Sequence, residues 1–135
     1  MNDSTLCLYS RIIRNYEHHA LAVKDGAIYI DGVDIRNMSL GQVRSSVGYV
    51  MQDVFLFSDT INENIRMGKK YDLTGKDIIR AARDASASEF IEDMSDEYET
   101  VIGERGVGLS GGQKQRISIA RALAKQNPIL VMDDS

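Results

Sequence analysis

The sequence predicts an α/β fold that combines a small antiparallel β piece, a helical subdomain and one buried parallel strand. Short apolar runs bounded by turn residues lie in the first half of the chain, helical spacing dominates the middle, and a continuous apolar run lies near the end. An apolar fraction of 43% over 135 residues is enough to build the core of one domain or part of one.

The N-terminal segment is predicted to be an amphipathic helix over roughly the first fifteen residues. Apolar residues recur at helical spacing at Leu6, Tyr9, Ile13 and Tyr16. Such a stripe usually packs against a core, and packing is the role that we expect for it.

Two short strands follow. Ala27–Ile30 is rich in β-branched and aromatic residues and runs into Asp31-Gly32, a pair typical of tight hairpin turns. Val47–Met51 predicts a second strand, and the intervening residues 37–46 predict a short helix or turn.

Helical patterns occupy the middle of the chain. Thr60–Glu63 and Thr74–Asp77 both have the form of a capping box, so we expect helices to begin at both places. The alanine-rich run Asp77–Ala87 completes a small helical lobe. A further helix over Gln113–Gln126 is predicted to end before Pro128, because proline cannot continue a helix.

The segment Leu109–Gln113, with the sequence Leu-Ser-Gly-Gly-Gln, stands directly before that last helix and has the character of an anion receptor. Gly111 and Gly112 let backbone N–H groups approach a ligand, Ser110 offers a hydroxyl, and a helix N-terminus carries unpaired donors and partial positive charge. The alternative is a glycine-rich turn in which Ser110 is an ordinary helix cap.

This pentapeptide and the helix after it, Leu109–Leu123, closely resemble the signature motif of the nucleotide-binding domains of ATP-binding cassette (ABC) transporters. The resemblance covers Gly26–Ser135 in the family's order. Four other segments look like the Q-loop, the start of the helical subdomain, the loop that exporters place against their transmembrane domains, and the Walker B strand: Gly48–Asp53, Leu56–Ile65, Thr100–Gly106 and Ile129–Asp134.

The resemblance therefore implies a phosphate-loop NTPase fold of the ABC type. It implies four parts: a poorly matching N-terminus over residues 1–25, the β piece and Q-loop over 26–57, the helical subdomain over 58–100, and the signature helix with the Walker B strand over 101–135.

The resemblance also implies roles for ATP and Mg²⁺. It assigns the contact with the γ-phosphate of ATP, made in trans, to four signature residues: Ser110, Gly111, Gly112 and Gln113. Asp133 resembles the Walker B aspartate that holds Mg²⁺, and Gln52 resembles the glutamine that reaches Mg²⁺ and the attacking water. Glu104 and Arg105 are the expected contacts to the transmembrane domains.

Two departures from the family pattern bear on catalysis. Asp134 stands where active members usually carry glutamate as the base or water-positioning group, and its side chain reaches roughly 1.5 Å less far. The sequence contains no Gly-x-x-x-x-Gly-Lys-[Ser/Thr] phosphate loop, and Asp3 stands where the lysine belongs if Ser4–Cys7 matches the tail of that loop.

We therefore expect a truncated fragment whose own site is degenerate, slow or non-hydrolysing. Without the phosphate-loop strand, we also expect the strand before Asp133 to have an unpaired edge and the isolated chain to be marginally stable.

The resemblance further implies a second nucleotide-binding domain in a head-to-tail dimer, expected to be hetero, and ABC transmembrane domains as partners. The chain would then lie at the cytoplasmic face of a membrane, attached through that partner, since no apolar run approaches the roughly 20 residues of a membrane span. A net charge of −4 gives no reason to expect a nucleic-acid partner.

Two alternatives to a transporter ATPase remain open at this point. The chain could be a non-catalytic remnant or interaction module without its own ATP site. It could also be a dinucleotide-binding oxidoreductase, because Gly106–Gly111 matches Gly-x-Gly-x-x-Gly before a helix; that fingerprint requires a buried strand directly before it.

Overall fold

The computed structural model describes residues 6–9, 21–24, 27–68, 72–106 and 108–132. These residues fall into two compact units. The first unit combines Met1–Gln52 with Asn127–Ser135, and the second is Asp53–Gln126. The second unit contains both the helical lobe and the signature segment. The finer division at residues 57/58 and 100/101 stays a prediction.

In the first unit, the described residues form six strands in two sheets. They are β1 (Leu6–Tyr9), β2 (Leu21–Lys24), β3 (Ala27–Ile30), β4 (Val33–Asp34), β5 (Val47–Val50) and β6 (Ile129–Met132). One sheet has the order β1-β6-β5 and the other the order β2-β3-β4.

The parallel sheet corrects two expectations. Leu6–Tyr9 forms strand β1 and not the start of a helix, and it pairs in parallel with β6 in the register Leu6 to Ile129. Four consecutive apolar residues suit a strand as well as a helix, and pairing with a distant strand decides between them. Because β5 pairs with its other side, β6 is central in this sheet and has no unpaired edge. The rest of the predicted helix, residues 10–16, lies outside the described residues.

The antiparallel sheet confirms the predicted hairpin. Strand β3 pairs with β4 through a two-residue turn in which Asp31 and Gly32 both have positive φ, at 49° and 77°. Paired positive φ values match the right-handed twist of the flanking strands. Beyond the hairpin, Asp34 caps a short 3-10 helix over Ile35–Asn37, and its carboxylate accepts hydrogen bonds from the backbone and guanidinium of Arg36.

A small apolar cluster completes the first unit. Ile30 of β3 and Ile129 of β6 are both buried in it, and Val47 and Val131 pack against them. Helix α1 (Leu40–Ser46) begins at a capping box made by Ser39 with Gln42, and it leads into β5 as the sequence predicts.

The second unit is helical. It contains α2 (Ile61–Arg66), α3 (Gly75–Asp84), α4 (Ser88–Glu92) and α5 (Gly111–Ala124). Its core consists of apolar side chains from all four helices and the segments between them, and it includes Leu56, Ile65, Ile78, Ile91 and Ile117. Both predicted helix starts are confirmed.

The two caps differ in detail. The Thr74–Asp77 capping box is complete, with both reciprocal hydrogen bonds. At α2 the Thr60 hydroxyl accepts from the Glu63 N–H, but the Glu63 carboxylate instead pairs with Arg66 at 3.1 Å. Among the residues that the structure describes, no helix is long and apolar enough to cross a membrane.

Candidate functional site

The segment before α5 forms a capping box around the predicted anion receptor. The Ser110 hydroxyl oxygen accepts from the Gln113 N–H at 3.2 Å, and the Gln113 side-chain oxygen accepts from the Ser110 N–H at 2.9 Å. Ser110 is therefore the helix cap, which both interpretations of this segment require. The anion-receptor interpretation and the ordinary-cap interpretation differ in the role that they give to the glycines.

Two kinds of glycine occur here. Gly106 has φ +75°, and a Cβ built on it would lie 2.9 Å from Cε of Lys114 and 3.3 Å from Leu56, so the chain itself requires glycine there. Gly111 and Gly112 have no neighbouring atom within 4 Å of such a Cβ, and neither has positive φ. Nothing within the described chain requires glycine at these two helical positions.

Glycine is an unfavourable residue for a helix, by about 1 kcal/mol relative to alanine in the interior. The two adjacent glycines in the first turn of α5 carry no Cβ atoms, so they leave the backbone open to close approach by a ligand.

The backbone donors at the start of α5 agree with this. The first hydrogen bond of the helix runs from the Lys114 N–H to the Ser110 carbonyl, and the Gln113 N–H is taken by the cap. The N–H groups of Gly111 and Gly112 have no acceptor among the described residues, and both glycines are exposed. Two adjacent donors at the positive end of a helix dipole suit an anion with several oxygens.

Two basic side chains follow the glycines on α5. The Lys114 stem lies over Gly106. The Arg116 guanidinium donates to the Ser86 carbonyl at 3.0 Å and stacks over the Phe90 ring at 5.1 Å. Arg116 therefore holds α5 to the segment between α3 and α4, while both residues add positive charge near the site.

The predicted transmembrane-domain contacts, Glu104 and Arg105, lie on a short 3-10 helix over Glu104–Gly106, and Glu104 is exposed. The loop before this helix is tied to α2, since the Ile61 N–H donates to the Thr100 carbonyl at 3.0 Å and the Ile102 N–H to the Asp59 carbonyl at 2.9 Å.

A pocket of about 450 Å³ opens beside this loop. Val101 and Ile102 line it together with Gly108 and Leu109, the residues that lead into the signature segment. The second unit therefore places the predicted transmembrane contact and the predicted nucleotide contact on neighbouring segments.

The parallel strands β5 and β6 end beside each other, and two predicted site residues, Gln52 and Asp133, follow these strands in the sequence. Val50 of β5 pairs with Met132 of β6; Gln52 follows Val50 by two residues, and Asp133 directly follows Met132. The carboxyl edge of a parallel sheet is where α/β proteins place their ligands.

Asp133 and Asp134 lie outside the described residues. Within the described ranges, no group of three or more His, Cys, Asp or Glu is arranged to hold a metal ion. Gln52 is exposed. The roles of these three residues remain predictions.

One pair of interacting residues in the second unit was not predicted. Asn64 on α2 is fully buried, and Arg121 on α5 donates to its backbone and side-chain oxygens at 2.8 and 2.9 Å. Asn64 falls on the buried face of α2 with Ile61 and Ile65, and an asparagine at an apolar position was the available signal.

The described structure does not meet the requirement of the dinucleotide-binding alternative, which is a strand directly before the glycine motif. The 3-10 helix Glu104–Gly106 overlaps the first residue of the Gly106–Gly111 motif, and no strand of the described chain leads into this motif. A dinucleotide fingerprint depends on a strand that delivers the turn to the helix.

Comparison with known proteins gives one consistent result. The family model described as ABC transporter matches residues 7–135. The chain is 52% identical over 128 residues to the Bacillus subtilis protein YgaD, whose name describes a multidrug export ATP-binding/permease protein; the match covers 95% of this chain and 21% of that protein. It is 47% identical over 113 residues to an ATP-dependent lipid A-core flippase of Methylobacillus flagellatus, covering 84% of this chain and 19% of the flippase.

A solved structure of a bacterial Atm1-family ABC exporter with ATP bound is similar in fold, with a TM-score of 0.73 and 43% identity over 81% of this chain and 19% of that chain. The chain thus spans about a fifth of the length of the curated relatives that it matches.

Proposed function

Because the chain belongs to the ABC transporter family, we propose that it supplies the signature half of an ATP site, covering the phosphates of ATP held by a second nucleotide-binding domain in a head-to-tail dimer. The observation that carries the proposal is the start of α5. The N–H groups of two exposed glycines there have no acceptor among the described residues, and no packing within those residues requires glycine.

The residues of this segment fit a polyphosphate. Because the Ser110 oxygen accepts from the Gln113 N–H, its own O–H remains available to donate to a phosphate oxygen. The Gly111 and Gly112 N–H groups would donate beside it, and the absence of Cβ atoms lets the phosphate approach the backbone. ATP supplies the negative charge that offsets the nearby basic side chains and the helix dipole.

The catalytic residues of this chain's own sheet edge form a separate part of the proposal. Asp133 and Gln52 would hold Mg²⁺, which neutralises charge on transferring phosphates when it is bound. Asp134 would position water less well than glutamate, because a misplacement of about 1 Å lowers a rate by on the order of 10²-fold. We expect slow hydrolysis or none at this edge.

The partners follow from the family and from the relatives. Export and lipid flipping in the names of relatives support a role in ATP-driven transport, with transmembrane domains contacted through Glu104 and Arg105 at the cytoplasmic face of a membrane. The departure at Asp134 favours a heterodimer in which the second domain carries the competent site.

A matched pair of glycine substitutions tests the proposal. Gly111 and Gly75 are both the first residue of a helix behind a complete capping box, and neither has an atom within 4 Å of a built Cβ. Alanine at either place should keep or slightly raise the thermal stability of the chain, since alanine favours helix.

The two variants should differ in function. The partner in the assay is an ABC nucleotide-binding domain with an intact phosphate loop and a hydrolysis-blocking substitution, and the measurement is its ATP-dependent association with this chain by analytical ultracentrifugation. We expect Gly111→Ala to weaken association about tenfold or more, the effect of losing a charge-assisted hydrogen bond, and Gly75→Ala to leave it unchanged. Equal association of both variants with the ATP-loaded partner would show that α5 does not contact the nucleotide.

A further inference from the structure

The Arg121 guanidinium joins α5 to two distant places in the second unit. Its Nε donates to the Asn64 carbonyl at 2.8 Å, one Nη to the Phe55 carbonyl at 3.0 Å, and the other Nη to the Asn64 side-chain oxygen at 2.9 Å. Burial lowers the pKa of this guanidinium, which still remains charged at any physiological pH. These three bonds are charge-assisted and therefore stronger than neutral ones.

Asn64 extends the connection to the rest of the segment. Its side-chain oxygen also accepts from the Phe57 N–H at 2.9 Å, and its amide nitrogen donates to the carbonyls of Phe57 and Thr60, both at 3.0 Å. Asn64 is fully buried, so no water competes for these bonds. The backbone of Phe55–Thr60 is thus fastened to Asn64, and Asn64 is fastened to Arg121.

Two half-exposed aromatic rings sit on the fastened segment. Phe55 and Phe57 are 50% and 43% exposed and meet edge to face at 4.9 Å between ring centroids. The Arg121 guanidinium lies 5.8 Å from the Phe57 ring centroid. The guanidinium therefore contacts both the backbone and a ring of this segment.

The backbones of α2 and α5 also come unusually close at this point. A Cβ built on Gly68, two residues after the end of α2, would collide with the Arg121 carbonyl oxygen. Only glycine lets the end of α2 reach Arg121, so the close approach is built into the sequence independently of the guanidinium.

We propose that Arg121 is a positioning residue that clamps the segment Phe55–Thr60, which begins three residues after Gln52, to the helix that starts at the signature. The proposal deepens the proposed function and rests on it for its meaning: a displacement of the signature helix on contact with nucleotide would move this segment and its aromatic pair with it.

A second arginine on the same helix provides the control. Arg116 also bonds a distant backbone carbonyl and stacks on a phenylalanine, but its partners are Ser86 and Phe90. If these arginines served only general packing, replacing either should loosen the unit alike. A clamp predicts that only Arg121 controls Phe55–Thr60.

The test is residue-resolved amide hydrogen exchange of the 135-residue chain, compared with its variants Arg121→Lys and Arg116→Lys. Lysine keeps the charge but cannot donate three bonds in one plane. We expect the Phe57 amide to exchange about tenfold faster in Arg121→Lys, with α3 amides unchanged, and to keep its wild-type rate in Arg116→Lys.

Three results would overturn the clamp: an unchanged Phe57 amide in Arg121→Lys, a uniform rise across α3 and α4 in that variant, or an equal rise at Phe57 in Arg116→Lys. If Arg121→Lys does not fold, the exchange rate of the Arg121 Nε–H in the wild-type chain tests the clamp instead. It should exchange more slowly than the Nε–H of the exposed Arg80, and equal rates would refute the proposal.

These measurements contain no nucleotide, so they are independent of the ATP contact. A responsive Phe57 amide together with failed association in the presence of ATP would remove the proposed function and leave the clamp. An unresponsive amide together with successful association would do the reverse.

Discussion

Replacing Asn64 by alanine should be among the most destabilising single changes in the second unit. The side chain is fully buried and makes four hydrogen bonds of 2.9 to 3.0 Å, with the backbone of Phe57 (twice), the carbonyl of Thr60 and the guanidinium of Arg121. Alanine removes all four and leaves the Phe57 N–H and one Nη of Arg121 without this acceptor.

The magnitude follows from the bond types. Three neutral bonds contribute about 1 kcal/mol each, and the bond from the guanidinium contributes about 1.5 kcal/mol or more. The Thr60 carbonyl keeps its helical bond from the Asn64 N–H, which reduces the loss slightly. We expect Asn64→Ala to lower the free energy of unfolding by about 4 kcal/mol, a large share of the stability of a small domain.

The assay is urea unfolding followed by the helical circular dichroism signal. This signal reports mainly on the second unit, because four of the five α-helices in the described chain belong to it. With a slope of about 1 to 1.5 kcal/mol per molar urea, the midpoint should fall by about 3 M.

Asn62 supplies the control, two residues away on the same helix. Its side chain is half-buried, and its amide donates to the Glu99 carboxylate at 2.9 Å on the exposed surface. Asn62→Ala should cost below about 1 kcal/mol, as surface substitutions usually do. If the two variants lie within about 1 kcal/mol of each other, the buried network around Asn64 does not hold the segment.

Other perturbations give further expectations. Ser110→Ala removes the cap of α5 and should lower stability by about 1 kcal/mol by urea unfolding, whereas Ser110→Asp, which can still accept the capping bond, should lower it by less. Gly68→Ala should destabilise the second unit by about 1 to 3 kcal/mol through its collision with a carbonyl of α5, while Gly75→Ala, with open space around it, should be neutral or stabilising; a neutral Gly68→Ala would contradict the close approach. Hydrogen bonds from the Arg36 side chain and backbone lower the pKa of Asp34, so its contribution to stability is present above the carboxyl's unfolded pKa and disappears as pH falls through the folded pKa. Arg36→Gln should raise the Asp34 midpoint measured by NMR titration, and an unmoved midpoint would count against the pair.

Local features of the fold could be predicted from the sequence because they depend on neighbouring residues. The helix starts at Thr60 and Thr74 are set by hydroxyls that reach a backbone N–H three residues on. The hairpin at Asp31-Gly32 follows from residues that accept positive φ. The signature segment could be recognised for the same reason, because its glycines and its capping serine are adjacent in the sequence.

Features made by distant residues could not be predicted in the same way. Strand β1 depends on a partner more than 100 residues later in the chain, and apolar spacing alone favoured a helix there. The Glu63 carboxylate could bond either the Thr60 N–H, as in a capping box, or the Arg66 guanidinium. In the structure it pairs with Arg66. Arg121 and Asn64 are 57 residues apart, so only the fold reveals that an apparently ordinary signature-helix arginine binds a buried asparagine.

The most direct test of the central claim is complementation in trans. An ABC nucleotide-binding domain with an intact phosphate loop and a disabled signature is mixed with this chain, and MgATP hydrolysis is measured. We predict that the chain restores hydrolysis, that Ser110→Ala and Gly111→Ala fail to do so while remaining folded, and that Gly75→Ala succeeds. Hydrolysis that stays at the level of the disabled domain alone, or that Ser110→Ala and Gly111→Ala restore as well as the wild-type chain, would contradict the account.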